Sequence, residues 1–229
     1  NGRRYTVETR CQGYELLYGR PMTQRFINAA CNKWLALQAE SMTVVALSQQ
    51  RYQVEVGSAI ADAAAFADRA DIARLRSLDR WLQQRLIGQQ FAQGFCHGDF
   101  KLNNLLFTAN GELAAVIDWD QARPNGILAF DYLLLLAYVL GHEQRSDLTA
   151  GFVRCLLPGR LSVAQARLLQ LVSDRLLADG TTMQALIVAV WFKLLREQQG
   201  MIENINPLWR AANLSRVLDA IEAQVPQCP

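Results

Sequence analysis

Apolar positions recur along most of this chain with a helical rhythm. Phe26, Ile27, Ala30, Trp34, Leu35 and Leu37 predict a helix capped by Thr23. Residues 43–93 read as further helices. Within them the alanine-rich stretch 59–70 is helix-prone, and residues 72–86 set Leu75, Leu78, Trp81, Leu82 and Leu86 on one face. Two segments depart from the rhythm. Residues 4–9 have strand-like composition and are punctuated by Gly13 and then by Gly19 and Pro21. Further on, the short apolar runs 105–107 and 113–117 flank Asn110-Gly111, a strong turn signal, and predict a small hairpin. After Pro124 and Gly126 helical spacing returns over 128–140, 148–157, 162–178, 181–198 and 207–223. The expectation is an α+β fold, mostly helical, with a small β element near the middle.

Composition narrows the class. The 229 residues suffice for one sizeable domain, and 51% hydrophobic against 19% charged residues is a globular balance, not a disordered one. A formal charge of +2 gives no electrostatic case for nucleic acid as the partner. The five cysteines, at 11, 31, 96, 155 and 228, are odd in number and form no C-x-x-C pair. That points to reduced thiols in a cytoplasmic protein and against a disulfide framework or zinc site. The longest apolar run, 127–141, is short for a membrane span and contains Asp131. No signal-peptide pattern is visible. The chain begins at Asn1, which fits a fragment, a processed product or part of something longer.

The hairpin carries polar residues in unusual company. His97-Gly-Asp99 precedes it, Asn104 stands five residues after Asp99, and Asp118 follows fourteen residues after Asn104. Hairpin pairing folds the chain back, so Asn104 and Asp118 are expected to converge. An amide oxygen and a carboxylate suit Mg²⁺, which takes oxygen ligands and keeps several waters. Asp99, in the loop leading into the first strand, is then free to orient a hydroxyl and accept its proton, the division of labour of phosphoryl transfer. Lys101 is placed to meet a transferring phosphate as a point charge. Each residue also has a plainer role open to it: His97 as a structural histidine, Asp118 as a turn cap, Asn104 as a loop end. For Asp120, contact with substrate or a second metal balances evenly against a solvated turn acid.

On these residues the sequence resembles the aminoglycoside phosphotransferase and choline kinase family, itself similar to protein kinases. The family's pattern of H-G-D, four residues, N, a hairpin and I-D-[WF] stands here as His97 to Asn104 and Val116 to Trp119. The resemblance implies a protein-kinase-like C-terminal lobe with Asp99 as catalytic base, Asn104 and Asp118 binding Mg²⁺, and His97 shaping the loop. It further implies that Asp131 braces that loop, against the plainer reading of a helix N-terminal charge. Val7 and Thr9, with Glu8 between them, would lie against the adenine as the last N-lobe strand runs into the hinge. On this reading residues 1–20 end the N-terminal lobe and hinge, and 21–229 form the catalytic and substrate lobe. The rest of the N-terminal lobe, with its phosphate-holding lysine, would precede residue 1, so the chain alone would bind ATP weakly and transfer phosphate slowly.

The implied activity is Mg²⁺-dependent transfer of the γ-phosphate of ATP or GTP to a hydroxyl of a small molecule: an aminoglycoside, a choline-like amino alcohol or a sugar. Asp120, Trp191, Glu203, Asn204 and Trp209 are candidate acceptor lining, suited to a cationic or hydroxyl-rich molecule. For Trp191, helical spacing of its neighbours favours a core position. Three rivals remain: a pseudokinase or nucleotide-binding module, a protein kinase suggested by Lys101, and a metal-dependent hydrolase, which the presence of only two histidines disfavours.

Overall fold

The computed structural model describes residues 13–15, 24–143, 147–176, 179–199 and 206–225. The strand β1 (Tyr14–Glu15) precedes helix α1 (Gln24–Ala39) and strand β2 (Thr43–Ala46). Helix α2 (Gln49–Tyr52) passes through a wide π-type turn, Gln53–Gly57, into α3 (Ser58–Phe66), and α4 (Arg69–Leu86) follows. Strands β3 (Gln90–Cys96), β4 (Leu105–Phe107), β5 (Leu113–Val116) and β6 (Arg123–Ile127) form the centre of the sequence. The remainder is helical: α5 (Ala129–Glu143), α6 (Leu148–Gly151), α7 (Val163–Leu176), α8 (Gly180–Gln199), α9 (Pro207–Arg210) and α10 (Arg216–Gln224).

Two three-stranded antiparallel sheets hold the middle together, in the orders β1-β4-β5 and β2-β3-β6. The β4–β5 hairpin turns at Asn110-Gly111, with Gly111 at φ +79° as that turn requires. The strands β2 and β3 correct the all-helical reading of residues 43–93. β3 is buried on both faces over most of its length and contains Gly94, so it shows no alternation. β2 is a short, largely exposed edge, with Val44 half exposed.

Helix α4 starts where Asp68 caps it by accepting a hydrogen bond from the Asp71 backbone N–H, which breaks the alanine-rich segment into two helices. Its face of Leu75, Leu78, Trp81, Leu82 and Leu86 is buried as the spacing predicts. Leu37 of α1 points away from the core, 58% exposed, while Ile27, Ala30 and Trp34 are buried. α5 and the middle of α8 are apolar nearly all round and form the centre of the molecule. α5 follows β6 directly, so the start of this rigid helix sits beneath the loop that follows β3. Among the described residues, no helix is long and apolar enough to cross a membrane.

Candidate active site

The loop after β3 is fastened from below by one carboxylate. Asp131, in the first turn of α5 and 1% exposed, accepts hydrogen bonds at Oδ2 from the His97 backbone N–H (2.9 Å), Trp34 Nε1 (3.1 Å) and Gln38 Nε2 (3.4 Å), and at Oδ1 from the Gly98 N–H (3.0 Å). Burial pushes its carboxyl pKa up, while the donors from His97, Gly98 and Trp34 pull against that. With both oxygens accepting N–H bonds, the ionised form is the one these partners fit. Gln38, also buried, donates to the Phe95 carbonyl and accepts from the Tyr132 hydroxyl, tying α1 to β3 and α5. Trp34 and Gln38 escaped sequence reasoning. Their partner lies more than ninety positions away, and only a polar residue within an apolar helix hinted at Gln38.

His97 is fully buried. Its Nε2 lies 2.9 Å from the Ile117 carbonyl and its Nδ1 accepts from the Asp99 N–H at 3.3 Å, which together require the Nε2-protonated tautomer. It therefore links the loop to the far strand of the hairpin. Trp119 packs on its ring, with centroids 4.7 Å apart. Gly98 has φ +83°, and a Cβ there would run into the Gln121 carbonyl oxygen. Only glycine allows the loop to pass so close to the segment after Asp118.

Asp99, Lys101 and Asn104 form one knot. Asn104 Nδ2 donates to the Asp99 carbonyl (2.8 Å) and to Asp99 Oδ2 (2.9 Å), and Lys101 Nζ lies 2.6 Å from the same Oδ2. Asp99 Oδ1 is buried and accepts no hydrogen bond from the described residues. Opposite, the Ile117 N–H donates to the Asn104 carbonyl at 3.0 Å, so hairpin pairing brings Asp118 next to Asn104 along the backbone. Asp118 is exposed and adopts φ 65°, a left-handed conformation that costs a non-glycine residue roughly 1–3 kcal/mol. It is held on both sides, through the Ile117 carbonyl on His97 and by Trp119 Nε1 donating to the Val116 carbonyl at 2.8 Å.

Among the described residues, no three His, Cys, Asp or Glu side chains cluster as a self-sufficient metal cage. The chemistry of Asn104 and Asp118 fits a more open arrangement. With its nitrogen committed to Asp99, the Asn104 amide keeps its oxygen for another partner, and with the exposed Asp118 carboxylate its donor chemistry would suit Mg²⁺, which takes few protein oxygens and keeps phosphate and water.

Beside the loop lies a cavity of about 830 Å³ between Gly98 and Asp120 on one side and Lys193 and Arg196 of α8 on the other. Asp120 is exposed at its edge. Trp191 is core: fully buried, packed on Phe152, and donating to the Asn213 carbonyl. Trp209 packs against Phe66. Val7, Glu8 and Thr9, like Glu203, Asn204 and the boundary at residue 20, lie outside the described residues. Of residues 1–20, the described Tyr14–Glu15 pairs with the hairpin strand β4.

The profile of the phosphotransferase enzyme family matches residues 36–166, more than half of the chain, a range that holds His97, Asp99, Lys101, Asn104, Asp118 and Asp131 but neither Trp34 nor the α8 residues of the cavity. No curated protein matches the sequence. Among solved structures, a glucosamine kinase in complex with glucosamine, ADP and inorganic phosphate aligns over 90% of this chain and 58% of its own, at 18% identity and a TM-score of 0.53. Two further glucosamine kinase structures, crystal forms B and A, align over 88% and 86% of this chain and 52% and 49% of theirs, both at 19% identity, with TM-scores of 0.51 and 0.53. At such identity the likeness is one of fold, which is protein-kinase-like, and the chain spans about half the length of those kinases.

Proposed function

The chain belongs to the phosphotransferase enzyme family, and from that premise we propose that it forms the catalytic lobe of a Mg²⁺-dependent kinase moving the γ-phosphate of ATP or GTP to a hydroxyl of a small molecule. The observation that carries this is the Asp99 carboxylate. One oxygen is held by Asn104 and Lys101, the other is buried with no donor among the described residues, and the loop beneath is fixed by Asp131. An acceptor hydroxyl supplies the missing donor, and Asp99 takes its proton as the oxygen attacks phosphorus. Lys101 covers the carboxylate at rest. Drawn to the transferring phosphate, it uncovers Asp99 and offsets the charge that develops. Asn104 and Asp118 would hold Mg²⁺, which neutralises phosphate charge when bound. His97 keeps the loop and hairpin in register, so that the base stays fixed relative to both of them.

A small acceptor, not a polypeptide, is supported by the path of the chain. Only residues 119–122 separate Asp118 from β6, and α5 begins two residues after β6 ends. This leaves no segment there long enough to seat a peptide. The test is phosphoryl transfer by the full-length protein with Mg²⁺ and ATP or GTP. Replacing Asp99 with Asn is expected to lower kcat by roughly 10²–10⁴-fold while nucleotide still binds. Wild-type turnover in Asp99→Asn would refute the assignment.

A further inference from the structure

The cavity next to the catalytic loop is short of negative charge. Glu55, 3% exposed in the turn between α2 and α3, has Oε2 2.9 Å from Arg123 Nη2 and 3.9 Å from Lys193 Nζ, while its Oε1 lies 3.8 Å from Arg51 Nη2. One carboxylate thus faces three cations. The Nε atoms of Arg51 and Arg123 are both buried without an acceptor among the described residues, and Glu55 Oε2, though 2.9 Å from Arg123 Nη2, is paired by charge without an aligned hydrogen bond, which leaves two unmatched donors against one acceptor oxygen. Arg51 does not line this cavity; its wall carries Arg123, Lys193 and a third cation, Arg196. Arg196 pairs with Asp62 at 3.0 Å, but both side chains are about half exposed, which leaves that pair screened and easily exchanged. Against these stands Asp120, at the solvent edge. Burial is also the main reason that the Lys193 ammonium is pushed down to about 8, with Arg123 adding to the effect. An anion in the cavity would relieve it.

Position gives this charge a meaning. Gly98 and Asp120 line the same cavity, one residue before Asp99 and two after Asp118, so a molecule resting on Arg123 and Lys193 abuts the catalytic loop. Its volume suits a small metabolite. A cationic acceptor would find Glu55 already engaged and would face the arginines. Resting on the kinase reading above, we propose that the phosphoryl acceptor is a hydroxylated organic anion whose carboxylate or phosphate docks on Arg123 and Lys193, with Arg196 at the rim, while its hydroxyl meets Asp99.

Four acceptors on one skeleton test this in the full-length protein with Mg·ATP: glucose, glucosamine, glucuronate and glucose 6-phosphate. At least one of the two anions is expected to exceed glucose and glucosamine by about tenfold or more in kcat/KM, and which of the two does so separates carboxylate from phosphate. Lys193→Met and the half-exposed Arg196→Gln, the latter chosen to spare the fold, are expected to raise KM for that anion several-fold with a smaller change in kcat. Direct calorimetric titration of wild type and both variants with glucuronate and glucose 6-phosphate gives a readout independent of turnover. Preference for glucose or glucosamine, or anion binding indifferent to both substitutions, overturns the inference and leaves the kinase reading standing. Anion binding that depends on Lys193, with transfer to none of the four, overturns the kinase reading and the acceptor role together.

Discussion

Asp131 fastens the His97–Asp99 loop through backbone donors, and this makes it sensitive to a change of a single atom. An amide has one oxygen where the carboxylate has two, and its nitrogen would face either the Gly98 N–H or the group of His97, Trp34 and Gln38 donors. At least one buried N–H then loses its acceptor, at a cost of about 1–3 kcal/mol. Asp131→Asn is therefore expected to lower unfolding stability by that order in urea titration, and to lower kcat because the loop bearing Asp99 loses its anchor. Unchanged stability and unchanged kcat together would show that the hydrogen bonds do not position the loop. The residue-scale chemistry was legible in sequence where it was local. His97, Asp99 and Asn104 share one loop, and an Asn-Gly turn returns the chain to Asp118. It was not legible where it depends on tertiary contact. Glu55, Arg123 and Lys193 come from three distant segments, and the one signal was a lysine set in the apolar stretch around Trp191.

At the scale of elements, long periodic helices were legible because one side of each packs on the core, as in α4. Short strands buried on both faces were not, because β3 offers no alternation to read. α8 shows how a core helix also serves a site. Its apolar body is buried, and Lys193 emerges toward the cavity with its ammonium 4.7 Å from the Phe130 ring centroid. Around it stand Arg123, which lowers its pKa, and Glu55, Cys96 and Asp131, which raise it, while burial outweighs them and holds it near 8. Below that value Lys193 is charged and attracts an anionic acceptor. Above it the charge is lost. KM for a carboxylate or phosphate acceptor is thus expected to rise as pH passes through about 8, and this limb should be missing in Lys193→Met. A KM profile of the same shape in both proteins would assign the titration to another group.

Across the whole molecule, desolvated groups act on alkaline stability with opposite signs, as the partly buried Lys193 and the buried Cys31 show. Lys193 titrates near 10.5 when unfolded and about 8 when folded. Between those values the unfolded chain holds the extra proton, so stability attributable to Lys193 increases with pH, by about 1.4 kcal/mol for each unit of pKa difference. Cys31 is 3% exposed in α1, and burial raises its thiol from 9.0 to about 12. Between those values the unfolded chain loses a proton that the folded chain keeps, and stability attributable to Cys31 falls as pH rises. The sum alone is uninformative, but differences separate the two. Wild type minus Lys193→Met, measured by denaturant titration, is expected to slope upward from pH 8 to 10, and wild type minus Cys31→Ala downward from pH 9. A flat first difference would mean that the fold does not desolvate Lys193. Lys193 would then be as well solvated as in the unfolded chain, and the rise of KM expected near pH 8 would be lost with the shift that produces it.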